Sequence, residues 1–237
     1  ITDAKALVVL NNNDIFTVDD NGELKFGDTK FAGTYKEFRE KVSATQGKTL
    51  TASGFYMANA PLSSVAGGQT APTGATVKTL TDLTGKIYDT EQEAKNGEAA
   101  QVYVERAVAK VTLQANSQTE ADNGSTSKVA FELTGWAIDN YNPTTYLVRN
   151  TEGFDNWINY ANENATAAKY RFVGGTAVAA NLYRTYFAKD VNYDTDATLS
   201  RASSYSDKYG DDNPQYCFEN TFNVKNQNVS QTTLVTL

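Results

Sequence analysis

Apolar and polar residues alternate along residues 102–113 (VYVERAVAKVTL), but the phase of the alternation changes midway. Val102 and Val104 fall on even positions; beyond Arg106 the small or apolar residues are Ala107, Ala109, Val111 and Leu113, on odd ones. Valine, tyrosine and threonine suit a pleated, half-buried surface, so the run predicts a strand. Side chains of a strand alternate between its two faces, and one core face survives a phase change only if an extra residue is inserted. The pattern therefore predicts a β-bulge at Glu105-Arg106.

Residues 6–10 (ALVVL) are apolar without a break, which predicts a strand buried on both faces. Asp20-Asn21-Gly22 lies between Ile15-Phe16-Thr17-Val18 and Leu24-Lys25-Phe26, the spacing of a β-hairpin with a primed turn. Thr34 followed by Glu37 matches a capping box, and Tyr35, Phe38 and Val42 recur at helical spacing before Gly47, so a short amphipathic helix is expected there. Phe154, Trp157, Ile158 and Ala161 give a second helical stripe. Further strands are expected at 50–57, 77–80, 129–141, 144–148, 170–173, 216–224 and 232–237, with polar loops at 63–75 and 200–214. Many strands at irregular spacing, few helices and no βαβ alternation point to an all-β chain, an antiparallel β-sandwich with one or two short helical insertions. No repeat of fixed period suggests a solenoid or propeller.

With 237 residues, 40% of them hydrophobic, the chain can bury one large core or two modest ones. Its net charge of -7 opposes approach to phosphate backbones and anionic bilayers, so no nucleic acid partner is expected. No apolar run approaches the roughly 20 residues that span a membrane, and no direct membrane span is expected. The single cysteine, Cys217, excludes an internal disulfide, and between Tyr216 and Phe218 it reads as a small buried hydrophobe. Histidine is absent, which removes the Ser-His-Asp triad, the Cys-His dyad and the commonest transition-metal ligand. Gly67-Gly68 and Gly174-Gly175 lack the surroundings of a phosphate or dinucleotide loop. Asp211-Asp212 and Asp194 with Asp196 read as solvated turns rather than glycosidase carboxylates. Asp207, Asp211, Asp212 and Asn213 could offer calcium several oxygens from one loop, though a hydrated acidic loop is the simpler account. Glycosylation triplets at Asn123, Asn164 and Asn228 carry no weight in a chain so rich in Asn and Thr. The expectation is a non-enzyme without cofactor or metal.

Residues 104–111 (VERAVAKV) resemble the signature strand of the fimbrillins of Bacteroidales, the type V pilins, in which a V-E-R-x-V-A-[KR] run recurs. Other stretches resemble that family in the same order. Residues 5–11 (KALVVLN) look like its early strand, and 55–60 (FYMANA) like a stretch with Phe or Met, a small residue and Asn. Residues 133–150 (LTGWAIDNYNPTTYLVRN) look like the strand pair after the signature, and 216–222 (YCFENTF) like the end of the N-terminal pilin domain. The signature and YCFENTF are the specific elements, and the nearest branch is the minor-fimbria major (shaft) subunit.

The resemblance implies a transthyretin-like sandwich, with residues 1–222 as an N-terminal pilin domain lacking its first strands and 223–237 as a connector into a C-terminal β-domain. It implies export as a lipoprotein precursor, attachment via the outer membrane, trimming by a surface protease and polymerisation into an adhesive fimbrium by donor-strand exchange. A sandwich short of one strand exposes apolar side chains and unpaired backbone groups, and an incoming extended segment satisfies both. The implied partners are other copies of the chain, accessory fimbrial subunits, the processing protease and host or bacterial surface receptors. Val104, Glu105, Arg106, Val108, Lys110 and Val111 form the signature strand; Leu7, Val8, Val9 and Leu10 form a candidate subunit-contact groove. Two readings of the signature stand side by side. Arg106 and Lys110 are ordinary solvent-face residues, or Glu105 and Arg106 make a bulge and ion pair beside the donor-strand groove. A tip or accessory adhesin of the same fold is the alternative function, and a surface carbohydrate-binding protein using Trp136, Trp157 and Tyr160 the second.

Overall fold

The computed structural model describes residues 2–41, 43–45, 50–51, 54–61, 78–114, 120–122, 128–151, 187, 202–220 and 233–237. The chain folds as an all-β protein whose described ladders are all antiparallel, with two short helices among the described residues, Tyr35–Lys41 and Glu91–Asn96. The second helical stripe, the strand at 170–173, the 63–75 loop and the three glycosylation triplets lie outside the described residues.

The apolar run near the start is two strands with different partners. Lys5–Ala6 pairs with Thr81–Asp82, and Val9–Leu10 with Ala58 and Met57. The run was expected to be buried on both faces, and the structure corrects this. Leu7 and Val9 are half-buried against the principal core, while Leu10, on the outer strand of its sheet, is 42% exposed. An antiparallel sheet commonly packs one face on a core and leaves the other to solvent.

Downstream, Thr17–Val18, Leu24–Phe26 and Thr29–Lys30 form a three-stranded meander. The first connection is not a primed turn. Only Gly22 has positive φ, +78°, and its N–H donates to the Asp19 carbonyl while Asp19 N–H donates to Glu23, which makes a three-residue loop. The Asp19 carboxylate accepts the N–H groups of Asn21 and Glu23 and pairs with Lys25 at 2.7 Å. An acceptor able to cap two loop amides removes the need for a mirror-image turn.

The helix Tyr35–Lys41 begins as its sequence dictates. Glu37 N–H donates to Thr34 Oγ1, and the Glu37 carboxylate accepts the Thr34 N–H at 2.6 Å. This seats Phe38 among Phe16, Phe26 and Phe31, with ring centroids 5.7–5.9 Å from each. Edge-on and tilted contacts of this kind suit the ring quadrupoles. The principal core combines these rings with Ile15, Tyr56, Ala58, Ala107, Leu147, Val148 and Phe187.

The signature run is regular through Glu105-Arg106. Val104, Glu105 and Arg106 face Asn59, Ala58 and Met57 one to one, and the Ala107 N–H still reaches the Tyr56 carbonyl at 3.1 Å. The predicted bulge is therefore corrected. At Ala107 the chain bends, and Val108–Val111 pairs instead with Gln215–Phe218. The phase of the alternation changes because the strand passes from one sheet to another, the usual way a strand turns a corner between packed sheets. Ala107 and Val108 are consecutive and both buried, at 4% and 8% exposure. The strand supplies Ala107 to the principal core, Val108 to a cluster with Phe218, and Val111 and Leu113 to a third around Trp136, Ile138 and Cys217.

The segment 223–237, read from resemblance as a connector, contributes Leu234–Thr236 to the body of the chain, paired with the buried strand Ala137–Asp139. Residues 202–214 are tied down rather than detached. Trp136 and Ser206 exchange both backbone hydrogen bonds, Trp136 Nε1 donates to Lys208, and Gly210 N–H donates to Leu113.

Candidate functional site: the edges and charges around the signature strand

The first part of the signature strand, Val104–Arg106, forms one three-stranded sheet with Met57–Asn59 and Val9–Leu10, in that order. Among the described residues, both outer strands have a ladder partner on one side only. Such edges present backbone N–H and C=O groups to whatever lies alongside. Of the candidate groove residues, Leu7 and Val9 pack toward the principal core, Val8 donates its N–H to Asn59 Oδ1 at 2.8 Å, and Leu10 faces out. They share one segment at a sheet edge.

Glu105 is in an ion pair, and its cation lies far away in sequence. The Arg149 guanidinium meets Glu105 through Nε–Oε1 at 2.6 Å and Nη2–Oε2 at 3.0 Å, and reaches Glu219 Oε1 from Nη1 at 3.3 Å. The planar fork of arginine fits a carboxylate in this two-point manner. The other oxygen of Glu219 accepts the Phe187 N–H, and the Phe187 ring lies 5.6 Å from the Arg149 guanidinium carbon. Phe187 also accepts Tyr146 N–H and Thr145 Oγ1 at its carbonyl, both at 3.0 Å. Arg149 is 8% exposed. Burial by itself disfavours its charge, but Glu219 and Glu105 together outweigh that and raise the guanidinium pKa above the ordinary arginine range. Nearby, Tyr56 donates its hydroxyl to the Leu147 carbonyl at 2.8 Å, and burial pushes its phenol pKa up.

Arg106 and Lys110 are exposed, as the solvent-face reading has them. Arg106 does not bond its neighbour Glu105 but lies 4.9 Å from the centre of the Phe55 ring, which in turn packs 5.2 Å from Tyr216. Val108 is buried, Val104 and Val111 half-buried. These contacts join the two sheets at the corner where the strand changes partner.

Asn59 and Arg149 were within recognised stretches of sequence but carried no assigned role, and Glu219 likewise. The signal available was charge inside apolar β-runs. Arg149 in YLVRN and Glu219 in YCFEN are each a lone charge next to a buried residue, Glu105 sits with Arg106 inside an otherwise apolar β-run, and a buried charge requires a partner. Spacing alone does not say which meet.

Among the described residues, those considered for other chemistries are placed as follows. Trp136 is fully buried, so its ring cannot stack on a sugar; Trp157 and Tyr160 lie outside the described residues. In the acidic loop, Asp211 accepts from Gln114 Nε2 at 3.1 Å and Asn213 donates to Tyr209 at 2.9 Å. Among the described residues, no group of three or more His, Cys, Asp or Glu side chains is placed to hold a metal, and no helix is long and apolar enough to cross a membrane. Burial pushes the Cys217 thiol pKa up, away from the reactive thiolate.

No family model matches the chain, and no curated protein matches it.

Proposed function

We propose that the chain is a structural subunit of a cell-surface fimbria, polymerising by protease-triggered strand exchange between copies. The observation that carries this reading is the three-stranded sheet, whose outer strands Val104–Arg106 and Val9–Leu10 each have one ladder partner among the described residues. Half-buried Leu7 and Val9 lie beside that edge, so a strand arriving there gains backbone bonds and apolar burial together. The sequence resemblance to type V pilins supports the same reading, and with it a transthyretin-like sandwich, export as a lipoprotein precursor and attachment via the outer membrane. The partners are then further copies, accessory subunits, the trimming protease and surface receptors, with no catalytic role.

Electron microscopy of fimbriae labelled with antibody to this chain tests the reading. Labels spaced along the shaft are the expected result. Labels confined to fibre ends would make it a tip adhesin, and a cell surface with labelled protein but no labelled fibres would overturn the fimbrial reading.

A further inference from the structure

The side chain of Asn59 supplies bonds that a neighbouring strand would ordinarily provide. Its Oδ1 accepts the Val8 N–H at 2.8 Å, and its Nδ2 donates to the carbonyls of Ala6 at 2.9 Å and Thr79 at 3.0 Å. In an extended chain, the C=O of one residue and the N–H two residues on face the same edge. A carboxamide carries the same donor and acceptor as a peptide group. Asn59 therefore bridges the interval where the N-terminal run leaves Thr81–Asp82 and has not yet joined Met57–Asn59. Gln215 bonds Trp136 and Ile138 in the same way, at 2.9 and 3.1 Å. There the bridged strand is buried and has a three-residue ladder to Leu234–Thr236 on its other edge, so it is fixed regardless.

The N-terminal run has no such backing. Each of its ladders is two residues long, and residues 2–10 include none that is fully buried. Beyond the ladders, Leu83 N–H donates to Ala4, and Asn11 Nδ2 reaches the Phe55 carbonyl. On the far side of Met57–Asn59, the ladder to the signature strand stays whole, from Ala60 bonded to Tyr103 through Ala107 bonded to Tyr56.

We propose that the Asn59 carboxamide is a clasp that makes residues 4–10 a separately releasable strand, opening while the rest of the fold stays intact. On opening, Asn59 keeps its bond to Thr79 and meets water, and Met57–Asn59 is left paired on its Val104–Arg106 side with its other edge free. The device is independent of the fimbrial reading, because it concerns one chain in isolation.

Residue-resolved hydrogen exchange with increasing denaturant tests it. In the unaltered chain, the Val8 and Leu83 amides should exchange through a small opening, faster and with weaker denaturant dependence than Ala60 and Ala107. Asn59→Leu, similar in size but without the carboxamide, should speed exchange at Val8 and Leu83 by at least about tenfold while Ala60 and Ala107 keep their rates. Exchange of all four amides by one global unfolding event in the unaltered chain would overturn the proposal. Equal acceleration of all four in Asn59→Leu would also overturn it, and if that variant does not fold the unaltered chain alone decides.

Discussion

Arg149 holds a buried charge between two carboxylates, so its removal and the removal of one carboxylate differ in consequence. Glu105→Gln leaves the guanidinium paired with Glu219, whereas Arg149→Met removes the cation that both Glu105 and Glu219 meet. Losing one member of a buried ion pair costs about 3 to 5 kcal/mol, and Arg149→Met should lie at the upper end, above Glu105→Gln. Urea unfolding of both variants at pH 7 measures this, and a larger deficit for Glu105→Gln than for Arg149→Met would contradict it. Cys217 allows a second check. Since burial raises its thiol pKa, a maleimide should label it slowly at pH 8 in the folded chain and quickly in denaturant, and fast labelling of the folded chain would contradict the burial. The buried-hydrophobe reading of this residue was legible from its neighbours Tyr216 and Phe218. The cation for Glu105 was not, because 44 residues separate the partners and the sequence pattern does not say which segments meet.

At the scale of elements, the phase change in the signature strand was legible in the sequence and its cause was not. Inserting one residue and passing to another sheet both reset which side chains meet a core, and a one-dimensional pattern does not distinguish them. The structure does, through Ala107 and Ala109. A single bulged strand puts both alanines on one core face, whereas here Ala107 is buried and Ala109 exposed. Ala107→Leu should therefore cost about 1 to 3 kcal/mol by overpacking. Ala109→Leu should stay within about 0.5 kcal/mol, and equal costs would contradict the corner. The helices make a related point. Thr34 with Glu37 and Thr90 with Glu93 are equivalent capping boxes, yet only the first is followed by an apolar stripe, and Glu91–Asn96 buries no side chain. The second was missed for that reason: the capping residues were present, the periodicity was not. Thr34→Ala should cost about 1 kcal/mol, lowering Tm by about 2 to 4 °C in a chain of this size. Thr90→Ala should cost at most about 0.5 kcal/mol, since the helix it caps can fray without disturbing a core; calorimetry of the two separates them.

For the whole molecule, the all-β class was legible because strands, turn residues and capping signals agree locally. The arrangement of those strands was not, because side-chain amides complete the sheets. Asn59 and Gln215 each satisfy a carbonyl and an N–H of a neighbouring strand, and Asn142 donates to Glu219 at 2.7 Å. Asparagine content that reads as a polar surface thus includes Asn59, Asn140 and Asn142, each 1% exposed. A body of short ladders joined by side chains has edges that a strand from another copy can meet, and the proposed assembly depends on that property. The most direct test is to treat the proposed precursor with the proposed trimming protease and resolve the products in SDS without boiling. The account predicts a ladder of SDS-resistant multimers appearing only after cleavage, since exchanged strands separate slowly. Complete cleavage to a folded product that remains monomeric would contradict it.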